Sequence, residues 1–238
     1  MSAPEQTPRS PEAYGVIRVQ GSDATDFLNA QLTRRVDGIG AGASALAAWC
    51  NAQGRVQALF RVARAADGEG YALQLPARLV PLVLPRLRLF VLRSRVTLEA
   101  ASATAAVDRR TEIAAGIPEI YPETREHFIP QMLNLDRLGA IDFRKGCYPG
   151  QEIVARTQYR GQLKRRMYRF AGEASELPLP GTRLLADDDV SGTVVDAVRD
   201  EHSRVQLLAV IPIEAAPQSW RLEAGGVPLE LQTLPGEA

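Results

Sequence analysis

The chain has 238 residues, 45% hydrophobic and 24% charged, with Lys+Arg and Asp+Glu both at 28. That size and composition suit a soluble protein of one large or two modest domains, and a net charge of zero provides no global field toward nucleic acid or an anionic membrane. With two cysteines, Cys50 and Cys147, and two histidines, His127 and His202, the inventory argues against a disulfide framework, a Cys/His zinc site and a histidine-based triad.

Residues 1–12 are polar and proline-rich and read as a flexible tail with no apolar signal segment. Residues 14–19 form a β-rich run ending at Gly21. Ser22 or Asp23 can cap a helix that runs to about Leu32 with Phe27, Leu28 and Leu32 on its apolar side. The runs 44–50 and 55–62 flank Asn51-Ala52-Gln53-Gly54 and predict a hairpin. A turn at 67–70 precedes a strand at 71–75, and Pro76 opens a helical segment to about Phe90 that its internal prolines should kink or split. This stretch holds Pro81, Pro85, Arg86 and Arg88 and is too short and charged to span a bilayer. A reducing cytoplasm is the expected setting.

A strand and turn are expected at 95–107 and a helical turn at 112–115, ended by Gly116 and Pro118. Residues 120–143 read as mostly irregular, and a long irregular stretch in a compact protein is more often functional than idle. A short helix is expected at 153–158, with Glu152 and Arg156 on one face. Beyond Gly161 short β-like runs recur at 164–170, 183–185, 192–198, 205–210, 220–222 and 229–231, separated by turn residues that include Asp187-Asp188-Asp189. This texture predicts a small antiparallel barrel, with a domain boundary near Leu163.

The most informative stretch is Lys145-Gly146-Cys147-Tyr148-Pro149-Gly150-Gln151-Glu152. Two glycines and a proline shape a tight loop that sets a thiol beside a cation, and a nearby Lys145 ammonium favours the thiolate. The alternative is an ordinary buried cysteine, the usual fate of a free thiol. The basic cluster Lys164-Arg165-Arg166 is either a solvated strand end or an anion contact near the Cys147 loop.

These residues resemble the YgfZ family of folate-binding proteins. The resemblance extends to Phe128-Ile129-Pro130-Gln131 with Asn134-Leu135, Val154-Ala155-Arg156-Thr157 with Arg160-Gly161, Leu28-Asn29-Ala30-Gln31-Leu32-Thr33, and Cys50-Asn51-Ala52-Gln53-Gly54-Arg55. It implies an α+β fold: a mixed folate-binding region of the glycine cleavage T-protein type at 13–162, shortened around 96–116, then a small C-terminal antiparallel β-barrel at 163–238. It implies tetrahydrofolate, or a one-carbon derivative, as cofactor. It also implies a role in assembly or repair of iron–sulfur client enzymes, including radical enzymes that modify tRNA, with Cys147 as the key residue. No direct nucleic-acid or membrane contact and no metal site are expected.

Cys147 and Lys145 are the candidate functional pair. Tyr14 stands where the family often places one of two tryptophans flanking the folate, and the second position falls near Asp108. Gln31, Gln151 and Glu152 are candidates for the hydrogen-bonding edge of a pterin, and Arg156 for the folate's glutamate tail or for Glu152. The alternative for each is a hydrogen bond within its own loop. Two other functions compete. One is folate-dependent aminomethyl transfer, whose enzymes place an aspartate on the second hairpin strand where this chain has Ala58 and Leu59, neither able to carry a proton. The other is a non-catalytic scaffold.

Overall fold

The computed structural model describes residues 13–102, 106–186 and 190–234; the expected tail at 1–12 and the acidic turn at 187–189 lie outside the described residues. Alternating apolar residues make β1 (Tyr14–Gln20) a central strand, with Ile17 and Val19 buried. Gly21 turns the chain at φ 124°, and α1 (Ala24–Gln31) buries Phe27 and Leu28. Asp23 stands at the N-cap, but its carboxylate does not cap the helix. It accepts instead from the Arg95 main-chain N–H at 2.8 Å and from the Arg95 guanidinium. The helix start is thereby tied to a distant part of the chain.

The expected hairpin is β2 (Ser44–Cys50) and β3 (Val56–Arg64), paired antiparallel. With β4 (Tyr71–Pro76) and β5 (Thr97–Ser102) they form one sheet in the order β2-β3-β4-β1-β5. The proline-rich segment splits, as expected, into a 3-10 turn (Ala77–Leu79) and α2 (Val80–Arg88). Pro81 falls in the first turn, where no main-chain N–H is needed. A short α3 (Arg109–Ala114) follows. Residues 120–143 carry only a 3-10 turn at Pro130–Leu133, and α4 (Gln151–Tyr159) leads into the second half.

The short runs beyond residue 163 become β6 (Arg165–Gly172), β7 (Arg183–Leu185), β8 (Ser191–Arg199), β9 (Val205–Pro212), β10 (Trp220–Leu222) and β11 (Pro228–Gln232). They close into a barrel in the order β10-β11-β6-β9-β8-β7. Phe170, Leu184, Leu207, Ile211 and Trp220 fill it. Met167, Val195, Leu208 and Val210 instead join the core of the sheet, so the barrel wall is also a wall of the larger core.

A polar cluster crosses that junction. Arg109 donates to Asp196 at 2.6 Å and to Glu112, while Arg61 donates to Glu119 at 2.7 Å and also to Glu112. Tyr14 donates to Glu119 at 3.0 Å and Tyr121 to Asp196 at 3.0 Å. Glu119 and Asp196 are buried. Burial pushes the Glu119 carboxyl up, opposed by Arg61 and Arg109. A buried charge that keeps its partners is tolerated, but one that loses them is costly. Asp196→Ala removes the buried carboxylate that accepts from both Arg109 and Tyr121, and its expected cost is about 3–5 kcal/mol, read as a lower urea midpoint. A loss under about 1 kcal/mol would show that this junction is not held by its charges.

Candidate functional site

The site is built on the C-terminal end of a helix. The last carbonyls of an α-helix have no intrahelical partner and carry partial negative charge. At the end of α1, the carbonyls of Asn29 and Leu32 both accept from Lys145 Nζ. Lys145 is only 7% exposed, and its ammonium lies 4.9 Å from the centroid of the Tyr148 ring. Burial pushes Lys145 down to about 8, with Asp142 pulling the other way.

The Leu28–Thr33 segment forms the socket. Asn29 Oδ1 accepts from the Val36 N–H at 2.8 Å. The buried Thr33 hydroxyl donates to the Ala140 carbonyl at 2.7 Å and accepts from the Ala48 N–H at 2.9 Å. Its carbonyl accepts from the Asp142 N–H at 2.9 Å. Thr33 thus lays residues 140–142 alongside β2, which brings Lys145 to the helix end.

Past this anchor the chain turns outward, and Cys147 is exposed. It lines an open cleft of about 230 Å³ with Asn29, Ala30, Arg35, Lys145 and Gly146. The buried-cysteine alternative therefore describes Cys50, whose thiol burial pushes up to about 12. The expected pair of Lys145 and Cys147 lines this one cleft, and the Lys145 ammonium also donates to the α1 carbonyls, which holds the loop.

Two glycines set the far side of the loop. Gly150, at φ 80°, precedes α4, and a Cβ there would stand 2.5 Å from the Asn51 carbonyl oxygen. Gly54, at φ 69° in the hairpin turn, meets Gly150 and Ile153 in the same way, with 2.9 Å to Ile153 Cβ. The backbones of the hairpin and the cysteine loop thus touch where side chains would stand. Gln131 Nε2 donates to the Val154 carbonyl at 2.7 Å. Asn134, left-handed at φ 57°, donates to the Met167 carbonyl at 2.9 Å. The Val56 N–H donates to Phe128 O at 2.8 Å. The separate motifs of the sequence therefore pack into one contiguous body.

None of the expected folate contacts lines the cleft at Cys147. Tyr14 is in the polar cluster, with the Arg61 guanidinium 5.4 Å over its ring. Gln31 is buried and its Oε1 has no partner. Gln151 is half-buried, while Glu152 and Arg156 are exposed on α4 without an ion pair between them among the described residues. The Lys164-Arg165-Arg166 cluster is largely structural: Arg165 donates to Ser191 O, and Arg166 pairs with Asp136 at 3.0 Å. Asp108 caps α3 through the Arg110 N–H at 3.0 Å. Trp49 packs against Phe90, and Trp220 fills the barrel. Ala58 and Leu59 are fully buried. Asn29, Ala30 and Arg35 were not singled out from the sequence; the first two lie in a quoted motif, and Arg35 carries no local signal.

No protein-family model matches the chain. An uncharacterized protein of Haemophilus influenzae is 30% identical over 230 residues, covering 78% of this chain and 82% of that protein. The tRNA-modifying protein YgfZ of Photobacterium profundum is 29% identical over 237 residues, covering 72% and 71%. The tRNA-modifying protein YgfZ of Shigella dysenteriae is 40% identical over 128 residues, 52% of this chain and 39% of that protein. Among solved structures, the glycine cleavage system aminomethyltransferase T of Bartonella henselae superposes with a TM-score of 0.73, covering 94% of this chain and 84% of that one. At 11% identity the likeness shows the fold alone.

Lys145→Met leaves two carbonyls without a donor. A charged hydrogen bond is worth about 1.5–3 kcal/mol, and a loss of that order is expected in urea, with faster amide exchange at 146–150. The folded-state value near 8 lies below the ordinary 10.5, so the folded chain releases this proton first. Its stability contribution is complete above the ordinary value and is lost as pH falls through the lower one. The difference between wild type and Lys145→Met should therefore grow as pH rises between those values. A slope of the opposite sign would mean that the carbonyls, not burial, set the titration.

Proposed function

Because the chain belongs to the YgfZ family, we propose that it is a tetrahydrofolate-binding accessory protein for the assembly or repair of iron–sulfur enzymes, including radical enzymes that modify tRNA, and that it acts through Cys147. In this reading residues 13–162 form the folate-binding region, residues 163–238 the barrel domain, and the protein works in the cytoplasm. Among the described residues no helix is long and apolar enough to cross a membrane.

The observation that carries the reading is the presentation of Cys147. Segments from α1, the hairpin turn and residues 128–145 converge to hold one loop, and the soft atom at its tip faces solvent. A thiolate is a ligand for iron and for sulfur-bearing centres. One thiol cannot hold a cluster, which usually takes four; no group of three or more metal-binding side chains occurs among the described residues. Any cluster contact would then be shared with a client.

The fit to folate is partial. The cleft at Cys147 is smaller than the roughly 300–1,000 Å³ usual for ligand sites, and Tyr14 and Gln31 lie outside its lining. Tyr14 nevertheless offers a half-buried ring beside a carboxylate and a guanidinium, and Gln31 a buried acceptor in want of a donor. Aminomethyl transfer is the weaker alternative, since the apolar Ala58 and Leu59 are sealed in the core.

Two measurements test the two halves. In cells dependent on this protein, Cys147→Ala should reduce tRNA modification by radical iron–sulfur enzymes to the level of a deletion, with an unchanged circular dichroism spectrum; normal modification would remove the thiol from the mechanism. Tetrahydrofolate should quench intrinsic fluorescence saturably, and Tyr14→Ala should weaken binding about 10-fold, in line with loss of one aromatic contact and its hydrogen bond. Absence of saturable binding would remove the folate.

A further inference from the structure

We propose that the outer face of α4, together with Arg144, is a docking surface for single-stranded RNA beside the Cys147 loop. Glu152, Arg156 and Tyr159 recur at helical spacing on one side of α4, with Arg160 at its end. Tyr159 is 68% exposed. Its ring meets Phe143 edge to face, with centroids 6.1 Å apart and planes at 71°. That contact folds the end of α4 back onto residues 142–144. Arg144 follows Phe143 and Arg160 follows Tyr159 in the chain, and Arg156 lies one helical turn before Tyr159, so three arginines neighbour a solvent-open aromatic in sequence.

The three guanidinium groups are free to meet a ligand. Arg144, Arg156 and Arg160 are exposed, and among the described residues none has a side-chain hydrogen bond or ion pair. Arg61, Arg109 and Arg166, by contrast, are spent on the fold. The acidic groups nearby are Asp142, whose carboxylate accepts from the Arg144 N–H at 2.9 Å, and Glu152 at the far end of α4. The zero net charge of the whole chain conceals this local excess.

Unpaired cations around one open π-face match the alternation of phosphate and base in an unpaired strand, where stacking and charge act together. An acidic protein surface would use the cations and leave the aromatic face without a counterpart. Neither folate nor Cys147 takes part in this surface; only the choice of RNA over DNA rests on the proposed service to tRNA-modifying enzymes. With nine residues, α4 is about 13 Å long, so an RNA held there lies within reach of a client engaged at Cys147.

The test is fluorescence anisotropy with a labelled mixed-sequence 12-nucleotide RNA and the purified full chain, without client or folate. Wild type should bind with a salt dependence near that of three phosphate contacts, a slope of about 2.1 in log Kd against log salt. Arg156→Gln/Arg160→Gln should cut that slope to about 0.7, the share of Arg144, and Tyr159→Ala should weaken binding about 10-fold while Tyr159→Phe retains it. Cys147→Ala should bind like wild type. No binding, variants that bind like wild type, tighter binding of the same DNA sequence, or equal displacement by an oligoglutamate peptide would each overturn the proposal. Failure here leaves the client assay of Cys147→Ala standing, and failure of that assay leaves this measurement interpretable.

Discussion

Lys145 is buried with its ammonium against the open carbonyls of a short helix, and the candidate site follows from that placement. An eight-residue helix such as α1 ends with acceptors that its own backbone cannot satisfy. A lysine drawn from solvent must find acceptors, because an unpaired buried charge costs several kcal/mol. Each defect is the remedy for the other. Once joined, they fix where Gly146 and Cys147 begin, and the remaining loop can only turn outward. Thr33 makes the join possible by holding residues 140–142 to β2 through its hydroxyl and carbonyl.

The second constraint is steric. Gly54 and Gly150 approach so closely that a Cβ on either would collide with the other loop. Both have positive φ, so a substitution is strained by conformation as well as by contact. The lysine pins the start of the cysteine loop and the glycine contact pins its end. Between them Tyr148 packs inward, and Cys147 is left outside. The thiol is presented because its neighbours on both sides are immobile.

How much of this was legible follows from the range of each interaction. The barrel strands were readable because alternation and turn residues are local signals, and every expected run became a strand. The split of the proline-rich helix was readable for the same reason. Asp23 was read as a helix cap on local grounds, but its carboxylate found Arg95, far along the chain. Lys145 was read as the partner of the thiol two residues away, although its acceptors come from α1. The polar cluster left no trace in the sequence. Arg61, Glu119 and Asp196 each look like ordinary strand or loop residues, and only the packing of the sheet against the barrel joins them with Tyr14 and Glu112 in one network.

That network bears on what kind of chemistry the thiol suits. β3 contributes Arg61 to the polar cluster at one level and Gly54, at its turn, to the cysteine loop at the other. Between them its Ala58 and Leu59 are sealed in the core. The carboxylates and guanidinium groups of that network are therefore gathered at the sheet–barrel junction, while Lys145 is the titratable group that shares the cleft with Cys147. No carboxylate or imidazole lines the cleft beside the thiol. A nucleophile that turns over a small substrate needs a base at hydrogen-bond distance and a cavity that excludes water. Among the described residues, Cys147 has an open cleft lined by Lys145 and Arg35. Under the proposed function that cleft meets the surface of a client, which supplies the remaining ligands.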